Sequence, residues 1–175
     1  MPALCGLMER IRLRTVVLPG FVAGFVATLT LHQLVLALLS LAGLTSRTAF
    51  ALQPTEPLGI PAVVSLALWG GLWGVALVGA LRTLGSKADD WILALTLALT
   101  LGAVAPTLVN WLVAAPLHGL PLGYGWHLRD MLTSVLVNAS WAGGVAVLLR
   151  VRFAWWSETS AGRPHALSRH AQQPR

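Results

Sequence analysis

The stretch WILALTLALTLGAVAPTLVNWLVAA, residues 91–115, contains no charged side chain. A bilayer core about 30 Å thick needs roughly 20 apolar residues in a helix that rises about 1.5 Å per residue. This stretch is therefore predicted to cross a membrane as an α-helix. Three further stretches meet the same criterion, at residues 16–42, 60–82 and 130–150. The sequence predicts an all-α integral membrane four-helix bundle over residues 16–150.

The composition of the whole chain points the same way. Of its 175 residues, 56% are hydrophobic and 10% are charged, and the mean hydropathy is +0.73, whereas roughly a quarter of the residues of a soluble domain are charged. The net charge of +6 comes from basic residues near the ends of apolar stretches, which is typical of membrane topology. We therefore expect membrane lipids, and no nucleic acid, as partners.

The positions of the basic residues predict the orientation in the membrane. Ten of the twelve Lys and Arg residues lie in the N-terminal segment 1–15, in the loop after the second span, or at the end of the fourth span and in the tail 151–175. The other two, Arg47 and Arg129, lie in the remaining loops. By the positive-inside rule both termini are cytoplasmic. The tail is polar and contains Gly, Pro and Gln, so it is predicted to be disordered.

The two halves of the chain resemble each other. With a shift of 78 residues Gly24 falls on Gly102, and with a shift of 68 residues Trp73 falls on Trp141. Halves of two spans each share one orientation, so they would be parallel repeats about an axis along the membrane normal. The hypothesis is a bundle built from two parallel two-helix repeats.

Small and polar residues recur every four positions and so form a stripe on one side of each helix. The stripe residues are Gly20, Gly24, Thr28 and His32, then Gly70 and Gly74, then Gly102, Pro106 and Asn110, and finally Ser134 and Asn138. In lipid, small residues let helices approach closely, and polar side chains form hydrogen bonds between helices. The stripes are predicted to be the surfaces on which the helices meet.

His32 and Gln33 stand side by side within the first span. The four-residue spacing turns His32 toward the other helices, with Asn110 and Asn138 as its expected partners. It turns Gln33 about 100° away, toward a neighbouring helix or a second subunit. Three roles are open for His32: a packing contact, a polar pathway or ligand pocket, and a metal or haem ligand. Paired haem ligation needs a second histidine at depth, and the spans contain none besides His32, so we expect no cofactor.

The segment PLHGLPLGYGWHLRDM, residues 116–131, places His118, His127, Arg129 and Asp130 together on the predicted outer side. This set could bind a lipid headgroup, a metal or a protein partner, or it could be a turn in which Asp130 caps the fourth helix. Its spacing matches no established zinc site and a third ligand is lacking, so we expect no metal. Pro106 is expected to kink the third helix, either at a binding site or for packing.

Three segments occur in order along the chain: PTEPLGIP (54–61), LGAVAPTLVNWLVAAPLHGLP (101–121) and NASWAGGVAVLLR (138–150). With them the chain resembles a family of small, uncharacterised four-helix proteins of the bacterial inner membrane. The resemblance covers most of residues 15–150. It implies the location and the four-helix fold, and it implies no catalytic residue.

The sequence contains no P-loop, HExxH motif, nucleophile elbow, paired carboxylates or dinucleotide fingerprint. We therefore expect a non-enzymatic accessory or scaffold protein that assembles with a second copy or with another membrane protein. The first alternative is a small transporter or channel subunit with a polar path near His32 and Asn110. The second is an enzyme or cofactor carrier that acts at the outer face through His118 and His127.

Overall fold

The computed structural model describes residues 16–83 and 91–161. Within these ranges, four helices are long and apolar enough to cross a membrane. They are α1 (Leu18–Leu41), α2 (Ala62–Thr83), α3 (Trp91–Val109, continued by Asn110–Ala114 and Ala115–Leu117) and α4 (Leu128–Ala161). The chain is a multi-pass membrane protein, and the predicted all-α four-helix bundle is confirmed.

The fourth helix continues beyond its apolar span. The predicted end of that span at residue 150 agrees with the structure, in which the span is Leu128–Arg150. The prediction that residues 151–175 are disordered differs for residues 151–161, because α4 continues to Ala161. Residues 151–161 contain no glycine or proline, so no residue among them is a helix breaker. The first such residues are Gly162 and Pro164. The segment 1–15 and the rest of the tail, residues 162–175, lie outside the described residues.

The helices pack so that α1 contacts both α2 and α4, while α3 packs mainly against α4. The buried core is rich in alanine, with Ala23 and Ala27 from α1 and Ala142 and Ala146 from α4. Trp141 is the large aromatic residue at its centre. Small side chains bring the helix axes close together, which is the main source of packing energy where lipid tails surround the bundle.

The contact between α1 and α2 is made of glycine. A Cβ added at Gly24 would overlap the carbonyl oxygen of Gly70, and one added at Gly74 would overlap the carbonyl oxygen of Gly20. One added at Gly20 would lie 2.9 Å from the carbonyl oxygen of Gly74. The two helices therefore touch backbone to backbone, which only residues without a side chain allow. The stripes of α1 and α2 meet within one chain.

The contact between α3 and α4 is also made by small residues. A Cβ added at Gly102 would lie 2.6 Å from the Cβ of Ala142. The two shifts that relate the halves of the sequence, 78 and 68 residues, carry Gly24 onto Gly102 and Gly74 onto Ala142. Equivalent positions thus make the close contact in both halves. The duplication itself stays a prediction.

Two connections meet at the end of the bundle where α1 and α3 end. The α1–α2 loop contains a short antiparallel pair of strands, β1 (Pro54–Thr55) and β2 (Ile60–Pro61). The α3–α4 connection contains a single helical turn, Leu122–Trp126. Polar side chains from both connections therefore lie near the start of α4.

Candidate functional site

A set of polar side chains lies at this end of the bundle and centres on Arg47. We call it the Arg47 cluster; its members are Gln33, Arg47, Asn110, Tyr124 and Ser134. The Arg47 guanidinium donates a hydrogen bond from Nη1 to Ser134 Oγ at 3.3 Å, and its Cζ lies 4.9 Å from the centre of the Tyr124 ring. Such a cation–π contact contributes about 0.5–2 kcal/mol. Arg47 thereby ties the α1–α2 loop to α4 and to the α3–α4 connection.

Tyr124 reaches this position through a left-handed turn. Gly123, Tyr124, Gly125 and Trp126 all have positive φ, between 53° and 75°. The left-handed conformation costs roughly 1–2 kcal/mol per residue that carries a side chain, and glycine at two of the four positions lowers that cost. In this turn the Tyr124 hydroxyl donates a hydrogen bond to Asn110 Oδ1 at 3.2 Å. One tyrosine thus links α3 to the Arg47 side chain.

An aromatic pair lies beside the same turn. Trp111 of α3 is buried, and its ring meets that of Trp126 edge to face, with 6.2 Å between ring centroids. A Cβ added at Gly123 would lie 2.8 Å from the Trp126 ring, so glycine makes room for it. The Trp111 indole nitrogen has no hydrogen-bond partner among the described residues.

Gln33 anchors the loop that carries Arg47. Its side chain is only 2% exposed, and its Oε1 accepts a hydrogen bond from the Phe50 backbone N–H at 2.7 Å. Its Nε2 lies 3.4 Å from His32 Nδ1. The structure therefore reverses the roles predicted for the two residues, because Gln33 faces the protein interior while His32 is only half-buried.

A change of helix type explains this reversal. Residues Thr28–His32 form a π-helical segment in which the hydrogen bonds span five residues instead of four. The extra residue rotates the following residues of α1 about the helix axis. The buried side of the helix therefore contains Thr28 and then Gln33, and His32 lies beside it. In α3 the π-helical segment is Asn110–Ala114, and the buried residue at its end is Ala115. The four-residue spacing of the sequence contained no signal for either segment.

The carbonyl of Gly24 lies in the α-helical part of α1, one turn before the π-helical segment Thr28–His32. It accepts hydrogen bonds from Thr28 Oγ1 at 2.8 Å and from Trp141 Nε1 at 3.0 Å. The second of these joins α4 to α1 in the buried core. The bond from Thr28 to the carbonyl four residues earlier is of the kind that bends a helix slightly. Trp141 was predicted only as a repeat position, and its bond to a backbone carbonyl could not be read from the spacing.

Replacing Trp141 with phenylalanine removes this donor but keeps an aromatic ring. We expect the free energy of unfolding to fall by about 1 kcal/mol, within the range of interhelical hydrogen bonds in membranes. The measurement is an SDS titration in mixed micelles. The matched control is Trp69→Phe, since Trp69 is 62% exposed, and it should change the same quantity by less than about 0.5 kcal/mol. Equal effects of the two substitutions would contradict the assigned bond.

The partners predicted for His32 are engaged elsewhere. Asn138 donates a hydrogen bond to Thr107 Oγ1 at 2.7 Å, and Asn110 accepts one from Tyr124. The prediction that either asparagine pairs with His32 was therefore wrong. Its physical reason is the rotation at the π-helical segment, which turns the imidazole away from the line of buried residues. Pro106 lies inside the helix Trp91–Val109, which continues through it.

The outer-face residues of the 116–131 segment do not converge on one point. His118 Nδ1 bonds the carbonyl oxygen of Ala114 at 2.7 Å, and the Asp130 carbonyl oxygen accepts a hydrogen bond from Ser134 Oγ at 2.9 Å. Arg129 is exposed at the start of α4. Over residues 16–83 and 91–161 no group of three His, Cys, Asp or Glu side chains is placed to hold a metal ion.

The Arg47 cluster combines one cation with amide and hydroxyl groups, which suits structural cross-linking or the binding of an anion. No family model, no curated protein and no solved structure matches this chain. Function is therefore inferred from the residues and their contacts alone.

Proposed function

We propose that this protein is a non-enzymatic accessory or scaffold protein of the bacterial inner membrane, with both termini in the cytoplasm. The supporting observation is that the small-residue stripes close on each other within one chain, Gly20 and Gly24 against Gly70 and Gly74. A transport path requires polar groups that face a continuous aqueous space. Here the polar side chains of the spans mainly join helices and loops, as Asn138 does with Thr107.

The surfaces left for partners are apolar. On α2, Trp69 is 62% exposed beside the exposed residues Leu68 and Leu72. Large aromatic side chains are enriched where proteins contact each other. We infer that this side of α2 contacts another membrane protein or a second copy of the chain, and that membrane lipids cover the remaining helix faces.

A small transporter or channel subunit is the second candidate, with a path near His32, Asn110 and Asn138. The observation that favours it is the pair of π-helical segments, one ending at His32 and the other beginning at Asn110. Single-turn π-helical segments occur often at functional sites.

Thiol labelling separates the two candidates. In a background with Cys5 replaced by serine, which removes the single native cysteine, Asn138→Cys is placed in the middle of α4. We expect a membrane-impermeant thiol reagent to leave this cysteine unmodified in permeabilised vesicles, because the position contacts α3 and has no access to water. The matched control is Leu52→Cys, since Leu52 lies in the α1–α2 loop and is 73% exposed; it should be fully modified.

Modification of Asn138→Cys from the aqueous phase would overturn the scaffold proposal in favour of the transport candidate. Treatment from one side of sealed vesicles would then report from which side the path opens. For the scaffold protein, we expect Asn138→Cys to stay unmodified while the variant remains folded.

A further inference from the structure

A groove of about 310 Å³ lies between the end of α1 and the start of α4. Leu39 and Leu44 line it from the side of α1, and Leu128, Leu132 and Leu136 line it from α4. The three α4 leucines are spaced four residues apart, so they form one continuous strip along the helix. In a bilayer, a groove of this kind is open to acyl chains.

The groove also has a charged end. Arg129 belongs to its lining, lies in the first turn of α4 and is exposed. No carboxylate of the described residues forms an ion pair with it. The groove thus has a cation near the start of α4 and leucines along the rest of its length. An anionic phospholipid has the complementary arrangement, with a charged phosphate next to apolar acyl chains.

We propose that this groove binds one anionic glycerophospholipid, with an acyl chain along the leucines of α4 and the phosphate on the Arg129 guanidinium. A guanidinium can donate two parallel hydrogen bonds to one phosphate. Basic sites between transmembrane helices bind anionic headgroups, and each arginine near a membrane surface contributes about 1 kcal/mol. The inference goes beyond the scaffold role, since it assigns a specific ligand, and it does not depend on that role.

Native mass spectrometry of the full chain tests the assignment. The protein is reconstituted into vesicles of phosphatidylglycerol and phosphatidylcholine in equal amounts, extracted in mild detergent, and the lipids retained per chain are counted. The wild-type protein should keep one phosphatidylglycerol in preference to phosphatidylcholine. Arg129→Gln should lower the retained phosphatidylglycerol about fivefold, the factor that corresponds to the loss of one surface arginine.

A second pair of variants tests the apolar part of the groove. Leu132→Trp should fill it and lower lipid retention, whereas Leu108→Trp on α3 should leave retention unchanged. Both leucines are exposed, at 53% and 43%, so both variants are expected to fold.

Three outcomes would overturn the proposal. Retention by Arg129→Gln and Leu132→Trp equal to that of the wild-type protein would exclude the groove as the binding site. Equal retention of the two lipids by the wild-type protein would exclude recognition of an anionic headgroup. A second copy of the chain retained in place of lipid would assign the groove to a protein contact.

Discussion

Gly74→Ala is expected to destabilise the bundle by about 2–3 kcal/mol, the upper part of the range for overpacked positions. The added Cβ would overlap the carbonyl oxygen of Gly20 and lie 3.0 Å from the Cα atom of Gly24. Both neighbours are backbone atoms of α1, so no side-chain rotation can relieve the contact. The helices must separate, and the hydrogen bond from Trp141 to the Gly24 carbonyl would be strained at the same time. The free energy of unfolding is measured by SDS titration in mixed micelles.

The same helix offers a matched control for this substitution. A Cβ added at Gly79 would have no atom within 4 Å, so Gly79→Ala introduces the same methyl group without a collision. Because alanine favours a helix over glycine by roughly 0.5–1 kcal/mol, this variant should be as stable as the wild-type protein or slightly more stable. We expect Gly74→Ala to lower the free energy of unfolding and Gly79→Ala to leave it unchanged or raise it slightly. Equal stability of both variants would contradict the backbone contact between α1 and α2.

The helices and the glycine stripes could be predicted because both depend on local sequence. A bilayer requires a minimum number of consecutive apolar residues, and the stretches 16–42 and 91–115 contain them. Glycine at every fourth position marks the side on which helices can touch, so Gly20 and Gly24 could be placed at a contact. That α2 provides the partner glycines followed only from the folded chain.

The orientation of single polar residues could not be predicted, because it depends on helix type. A regular α-helix places His32 in line with Gly24 and Thr28, and the sequence prediction followed that geometry. The π-helical segment adds one residue to the turn and brings Gln33 into the line instead. The bond from Trp141 to the Gly24 carbonyl joins residues that are 117 positions apart, and a contact over that distance leaves no trace in the spacing of α1.

The Arg47 cluster was missed for a similar reason. Arg47 was counted only as a basic residue of a loop, and its neighbours Ser134 and Tyr124 come from α4 and from the α3–α4 connection. Tyr124 reaches it through a left-handed turn. The nearby glycines, Gly123 and Gly125, were a usable signal, because alternating glycines in a short connection favour positive φ.

Gln33→Leu is expected to have the second largest effect and to lower the free energy of unfolding by about 1–3 kcal/mol. Leucine has a similar size but cannot accept the hydrogen bond from the Phe50 N–H. That donor would be left without a partner in a partly buried position, and the α1–α2 loop would lose its attachment to α1. Besides SDS titration, hydrogen exchange of the Phe50 amide measures the change directly, and the exchange should become faster.

Gln53→Leu is the control for this substitution, because Gln53 is an exposed glutamine of the same loop. Its backbone carbonyl oxygen accepts a hydrogen bond from the Ala62 N–H, and the substitution leaves that bond in place. A double variant with Arg47→Gln tests whether Gln33 acts by holding Arg47. If the loop connects them, the two effects should be less than additive by about 1 kcal/mol, as for residues that share one network. Additive effects would mean that Gln33 stabilises the loop without positioning Arg47 over Tyr124.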